Sequence, residues 1–233
     1  MKIGILEAGH VLSALSEEFG SYPEMFASFL AGYGFEFETY SVVDGIFPQS
    51  ATSADGWLIT GSRYGAYEDL DWIEPLEVLI RDAYARSIPI VGVCFGHQIL
   101  AQALGGVVEK FDGGWSVGPT DYRLEGVENP VSVMAFHQDQ VVKPPKDAKV
   151  IGSTPFCENA VLVYGNKALS IQPHPEFSDD FFAALLEKRG RGLIPQDLLD
   201  SAADKIGVPL SGDWVSDQMA AFFKQPRAHG ARQ

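Results

Sequence analysis

The sequence predicts an α/β fold: a mostly parallel central sheet with helices on both faces, additional antiparallel strands and a C-terminal helical extension. Three observations carry that prediction. From Lys2 to Gly106, short apolar runs alternate with stretches of helical periodicity, and a βαβαβα order implies parallel strands joined by right-handed crossovers. From Val107 to Ile171 the runs are short, β-rich and separated by turn residues, which reads as antiparallel or mixed pairing. After Phe177 the pattern is helical again, to about Lys224.

In chain order, Lys2 to Glu7 reads as a buried strand. Tyr22 to Gly34 carries Tyr22, Met25, Phe26, Phe29, Leu30 and Tyr33 on one helical face, closed by Gly32 and Gly34. Phe35 to Ser41 is a second strand. After a loop holding Asp44-Gly45, Pro48 and Ser53, Trp57-Leu58-Ile59-Thr60 is a short third strand. Trp72 to Ser87 repeats apolar residues at Ile73, Leu76, Ile80, Ala83 and Tyr84, with Pro75 in a first turn that tolerates it. In the second half, Thr120 to Leu124, Val131 to Phe136, Ala160 to Tyr164 and Ala168 to Ile171 read as strands, with Gly165-Asn166 as a hairpin turn between the last two. Pro195 and Ser211 open later helices. The 233 residues suit one domain, with a core over 1–177, an extension over 178–224 and a frayed tail over 225–233.

The chain is organised around Ile88 to Gly106. An apolar strand (Ile88, Ile90, Val91, Val93) meets Cys94, then Phe95 and Gly96, then a helical run (Ile99, Leu100, Ala103, Leu104) stopped by Gly105 and Gly106. Strand, tight turn and helix follow one another with Cys94 at the bend. A side chain there stands clear of the sheet and faces the unpaired N–H groups and positive dipole of a helix start, which favour a thiolate. The same arrangement for serine is the nucleophile elbow. A lone cysteine in an apolar strand is usually a small buried hydrophobe. Here Gly96 stands two residues on, and the first helical turn carries His97 and Gln98 where a structural start would carry Ser, Asp or Asn.

Bulk properties set the class of partner. Hydrophobic residues make up 46% and charged residues 21%, as in an ordinary globule. A net charge of −14 opposes nucleic acid or anionic membrane as partner. Two cysteines without metal-ligand spacing fit a reducing cytoplasm. Lys2 to Leu6 is followed by Glu7, too short a run for a signal peptide, and no apolar run reaches transmembrane length. There is no Walker-type phosphate loop.

A nucleophilic cysteine needs a base and a group that orients the base. Of five histidines, His10 in a Ser/Glu-rich loop and His229 in the tail read as solvated. His97 is too close to Cys94 in sequence to turn back onto it and reads as a structural hydrogen-bonder. His137, before Asp139, reads either way. His174 sits in Gln172-Pro173-His174-Pro175-Glu176, directly after an apolar strand. The two prolines restrict the backbone around the imidazole, and a carboxylate two residues away in an extended segment can reach it.

Gly92-Val93-Cys94-Phe95-Gly96-His97-Gln98 together with His174-Pro175-Glu176 resembles the class I glutamine amidotransferase family, which uses a Cys–His–Glu triad. The resemblance runs from Lys2 to Phe177. Val43 to Pro48, and Thr60-Gly61-Ser62 leading to Tyr67 through Ile73, look closest to the stand-alone γ-glutamyl peptidase and GMP-synthase-like branch. The resemblance implies a flavodoxin-like three-layer sandwich, with Cys94 as nucleophile, His174 as base and Glu176 as its orienter. It further implies an oxyanion hole from the backbone N–H of Phe95 and one amide of Gly61 or Ser62, with Gln98 and the Phe136-His137 backbone holding the glutamyl α-groups. Many members carry Gly-Gly in the oxyanion loop, so Thr60-Gly61-Ser62 leaves open which amide donates.

The expected chemistry is hydrolysis of the γ-glutamyl amide bond of glutamine, or of a γ-glutamyl amide or peptide, through a γ-glutamyl thioester on Cys94. No metal or other cofactor is implied, and the expected partner is a small-molecule γ-glutamyl substrate. The alternatives are a glutaminase subunit delivering ammonia to a separate synthetase, and an inactive binding relative, which the complete triad argues against. The reading leaves room for such a synthetase partner or for a homo-oligomer. The segment after Phe177 adds surface to cap the site or dock a partner. In the loop from Gly61 to Leu70, Ser62 in place of a second glycine and packing by Tyr64 and Tyr67 favour a preset oxyanion loop.

Overall fold

Alternation within the first strands decides which helices cover which face. The computed structural model describes residues 1–227; His229 lies outside them. Strand β1 (Lys2–Leu6) leads through helices α1 (Ser13–Phe19) and α2 (Tyr22–Phe29) to β2 (Glu36–Tyr40). Then come β3 (Gly56–Ile59), α3 (Ile73–Ala85), β4 (Ile90–Val93) and α4 (Phe95–Ala103). Ile3, Ile5, Leu58, Val91 and Val93 pack on one side of the sheet with Phe26 of α2. Leu6, Trp57, Ile59 and Ile90 pack on the other with Leu76, Ile80, Ile99 and Leu100 of α3 and α4. Each such buried side chain contributes about 1.5–3 kcal/mol.

The second half adds β5 (Val107–Lys110), β6 (Ser116–Leu124), β7 (Val131–His137), β8 (Asp139–Lys143), β9 (Lys149–Ser153), β10 (Val161–Tyr164) and β11 (Ala168–Ile171). Among the described residues one sheet runs β2-β1-β3-β4-β11-β10-β9-β6-β7, and β5 pairs with β8 apart from it. The first five strands are parallel and the remaining pairings antiparallel. Strand β11 is the pivot: it returns from the Gly165-Asn166 hairpin to lie parallel to β4.

Three helices follow: α5 (Asp179–Leu185), α6 (Gln196–Ala203) and α7 (Gly212–Lys224). Helix α7 lays Val215, Met219, Phe222 and Phe223 on the face that α2 also covers, completing the third layer. Helices α5 and α6 form a separate apolar cluster with Met134 and Phe136 of β7. The architecture is the expected α/β sandwich with antiparallel additions.

Several boundaries differ from the sequence reading. Ser13–Phe19 is helical although its Ser and Glu residues read as loop; Leu15 is its one buried residue, too little for a visible stripe. Helix α2 ends at Phe29, short of Gly34. Strands β5, β8 and β9 are partly exposed and went unmarked by apolar runs. Extension helix α5 ends in a π-helical turn, Leu186–Gly190. The tail expected to fray from Gln225 is held at Arg227, whose guanidinium donates to the carbonyls of Phe222, Phe223 and Asn166.

Candidate active site

Parallel pairing of β4 with β11 sets Val93 opposite Ile171, so the residues just past both strands meet at one edge of the sheet. The Cys94 N–H donates to the Ile171 carbonyl at 2.9 Å, and the Cys94 carbonyl accepts from Gln98 N–H at 3.1 Å, starting α4. Between these bonds the chain reverses in one residue. Cys94 accordingly has φ +54° and ψ −105°; Ser87 is the other non-glycine residue with positive φ among those described. Such a conformation costs about 1–3 kcal/mol and persists where the surroundings enforce it. Gly92 and Gly96 make the bend possible. A Cβ on Gly92 would strike the Gly96 carbonyl, and one on Gly96 would strike the Ile59 carbonyl of β3.

His174 arrives from the other strand. Its N–H donates to the Met134 carbonyl at 2.8 Å, pinning Gln172-Pro173-His174 to β7. In the buried ring, Nδ1–H donates to Glu176 Oε1 at 2.7 Å. Phe177 stacks on the imidazole at 4.1 Å and 12°. Burial opposes the imidazolium, but the charges of Glu176 and Cys94, and hydrogen bonds from both, outweigh it and raise the His174 pKa.

Cys94, His174, Gln98, Phe136, His137 and Ser62 line one cavity of about 240 Å³. Gly61 lies against the edge of the His174 ring. Phe95 is the first residue of α4, where a helix leaves its N–H groups without intrahelical acceptors. Gln98 Nε2 donates to the Asp139 carbonyl at 2.9 Å and to Gln172 Oε1 at 3.2 Å, which fixes its carboxamide across the cavity floor. The oxyanion loop is held from both ends: Thr60 Oγ1 accepts from Ala8 N–H, and Ser62 Oγ accepts from Tyr64 N–H at 3.1 Å. Tyr64 packs on Trp72, and Trp72 on Phe95. Tyr67 lays its ring against Gly65 of the loop and is 46% exposed at the cavity rim, beside Asp139.

The remaining histidines separate cleanly. His97 is fully buried and hydrogen-bonds through Nδ1 to Ser170 Oγ at 2.8 Å; burial lowers its pKa to about 3. His137 lines the cavity with neither ring nitrogen hydrogen-bonded among the described residues, and burial lowers its pKa to about 3 as well. His10 lies outside the cavity and, though half exposed, is held between Glu7 and Asp44. Burial pushes the Cys157 thiol up to about 12.

Sequence reasoning missed the contribution of the extension. Leu185, Arg189 and Leu193 line the cavity, as do Tyr22 and Lys110. Lys188-Arg189-Gly190-Arg191, a basic cluster in an acidic chain, was the available signal. Among the described residues no group of three or more His, Cys, Asp or Glu is arranged to hold a metal ion, and no helix is long and apolar enough to cross a membrane.

The family model for glutamine amidotransferase class-I matches residues 18–189. The chain is 28% identical over 207 residues to gamma-glutamyl peptidase 2 of Arabidopsis thaliana, covering 82% of this chain and 83% of that protein. It is 30% identical over 146 residues to the glutamine-hydrolyzing GMP synthase of Aeropyrum pernix, covering 59% of this chain and 26% of that longer protein. A crystal structure of a glutamine amidotransferase from Methylobacillus flagellatus superposes with a TM-score of 0.75 at 20% identity, over 100% of this chain and 98% of that one, a likeness of fold.

Proposed function

Because the chain belongs to the class-I glutamine amidotransferase family, we propose that it is a free-standing hydrolase of γ-glutamyl amides or peptides, acting through a thioester on Cys94. The observation that carries this reading is the strained Cys94 at the strand–helix bend, lining one cavity with a buried imidazole whose Nδ1 is held by Glu176. A strained nucleophile, a base and an orienting carboxylate are the parts that covalent acyl transfer requires.

In this mechanism the Cys94 thiolate attacks the γ-carbonyl carbon. The oxyanion that forms is met by the Phe95 N–H and by an amide of Gly61 or Ser62, and removing one such donor costs about 10² to 10³ in rate. As the tetrahedral species collapses, the C–N bond breaks and the leaving amine takes the His174 Nε2 proton. Neutral His174 then takes a proton from water, whose oxygen attacks the thioester and expels the Cys94 thiolate; glutamate is released. Glu176 holds the Nδ1–H tautomer and stabilises the imidazolium. Gln98 and the Phe136-His137 backbone face the glutamyl α-groups.

Purified protein incubated with a panel of γ-glutamyl compounds and quenched with acid tests the reading. A glutamyl adduct on the Cys94 peptide in the mass spectrum, with glutamate release, is expected. Glutamate release without an adduct, unimpaired in Cys94→Ala, refutes it.

The second reading is a glutaminase that supplies ammonia to a separate synthetase. It is favoured by the similarity to part of a longer GMP synthase.

A further inference from the structure

The segment after Phe177 lines part of the cavity beside Cys94 with residues that the mechanism above leaves unused. Where α5 ends, the π-helical turn Leu186–Gly190 adds a residue to the helical circuit. Turns of this kind recur at functional sites, where they re-aim side chains. Arg189 in this turn lines the cavity that also holds Cys94 and His174. Its guanidinium carbon lies 6.0 Å from the centre of the Phe136 ring, and Tyr22 lines the same cavity.

Arg189 is the cavity cation without an assigned anion. Arg63 donates to the Tyr64 hydroxyl at 2.6 Å and stacks on that ring. Lys110 stands near enough to Asp139 to act on its carboxyl. The acid next to Arg189 in sequence, Glu187, lies 3.9 Å from Lys188. Among the described residues no carboxylate is in ion-pairing range of Arg189, although the chain carries 31 acidic residues against 17 Lys and Arg. A half-buried guanidinium facing a cavity presents a fork of donors that matches one ligand group above others, a carboxylate.

Position says which carboxylate. The leaving amine takes its proton from His174, so it departs on the imidazole side of Cys94. Phe177 stacks on that imidazole, and Tyr22 in turn stacks on Phe177 with ring centres 6.3 Å apart. Tyr22, Phe177 and Arg189 line the same cavity, and the charge of Arg189 acts on the Tyr22 hydroxyl. Gln98, Tyr67 and Asp139 also line the cavity, are tied to one another, and offer acceptors suited to an α-ammonium. A volume of about 240 Å³ is below the roughly 300–1,000 Å³ of sites for drug-sized ligands and suits a ligand of about two residues.

We propose that Arg189 binds the carboxylate of an amino acid on the leaving side of the scissile bond, making γ-glutamyl peptides with a free terminal carboxylate the preferred substrates. The proposal rests on the γ-glutamyl hydrolase reading of the same site.

The test compares γ-glutamylglycine with γ-glutamylmethylamide, which lacks that carboxylate, on the full chain and on Arg189→Gln and Arg189→Lys. Wild type should favour the dipeptide in kcat/KM. The ratio of the two kcat/KM values should fall about 10- to 100-fold in Arg189→Gln, mainly through KM, and be partly restored by lysine. Calorimetric binding of both compounds to Cys94→Ala, with and without Arg189→Gln, reads the same preference without turnover. Equal losses on both compounds would assign Arg189 to the glutamyl half and overturn the proposal, as would an unchanged ratio. Absence of turnover and of binding with both compounds on otherwise native protein would instead bring down the hydrolase reading, and this proposal with it.

Discussion

Gly61 touches the base of the site. A Cβ built on it would come within 2.8 Å of His174 Cε1, nearer than side-chain carbons approach one another. Backbone from the end of β3 therefore limits how far the imidazole can swing, and the same segment carries the proposed oxyanion amides. A glycine in this loop is required by contact; its backbone is not in the left-handed region.

Gly61→Ala should therefore act on turnover more than on the fold. Either the ring is pushed from Cys94 or the loop carries its amides away, and losing one oxyanion donor alone costs about 10² to 10³ in rate. A fall of that order in kcat, with a melting temperature within a few degrees of wild type, is expected. Steady-state kinetics alongside a thermal melt checks it, and wild-type kcat would mean that the loop relaxes freely.

Glu176→Gln should remove the group that orients His174. In a serine-protease triad the equivalent loss costs about 10⁴-fold in kcat. Cysteine needs less activation than serine, so a smaller loss, still of orders of magnitude, is expected here. Circular dichroism should be unchanged. Wild-type kinetics would show that another carboxylate holds the histidine.

The same pair governs pH dependence. Burial alone would disfavour charged His174, yet Glu176 and Cys94 raise its pKa above the ordinary value of about 6.5. The stability gained from the charged form is complete below that ordinary value and is lost as pH rises through the raised one. An activity that needs imidazolium as proton donor should persist through neutral pH and decline only above the usual histidine range. The alkaline limb of kcat/KM reports this group in the free enzyme. It should move to lower pH in Glu176→Gln; an unmoved limb would assign it to another residue.

Thiol chemistry should be equally selective. Cys94 lines the cavity, whereas Cys157 is 2% exposed with its pKa pushed to about 12 by burial. Iodoacetamide should label Cys94 first, and turnover should fall in step with that label. Labelling of Cys157 first, with activity intact, would overturn the assignment of the nucleophile.

The parallel half of the fold was legible because each of its strands is a run of apolar residues bounded by Gly, Pro or a polar turn, as at Ile90 to Val93. The elbow was legible because Gly92 and Gly96 flank Cys94 at the spacing that close approach demands. The cross-chain relations were less so. No local pattern says that β11 pairs with β4, yet that pairing brings Cys94 to His174. The basic cluster around Arg189 stood out in an acidic chain but could not be placed for a similar reason, since a basic residue on a helix reads as solvated until the turn that aims it is known. Strands β5, β8 and β9 carry exposed positions that dilute their alternation.

The final prediction separates the two readings of the function. A glutaminase dedicated to a synthetase is commonly idle until its partner orders the oxyanion loop, and such coupling needs an element with two states that the partner can bias. In this chain the Gly61 to Leu70 segment is tied on several sides. Thr60 Oγ1 takes the Ala8 N–H, Ser62 Oγ takes the Tyr64 N–H, and Glu68 Oε1 takes the Gly65 N–H at 2.6 Å. Gly9 also abuts the loop, since a Cβ there would lie 3.0 Å from Ser62 Cα. A loop with these internal ties has little need of a partner to set its amides. Purified protein without synthetase or ATP should therefore release glutamate from a γ-glutamyl amide or peptide at a steady rate, and favour a substituted leaving amine over free glutamine. Silence across the whole panel, relieved only when a synthetase is added, would hand the argument to the subunit reading.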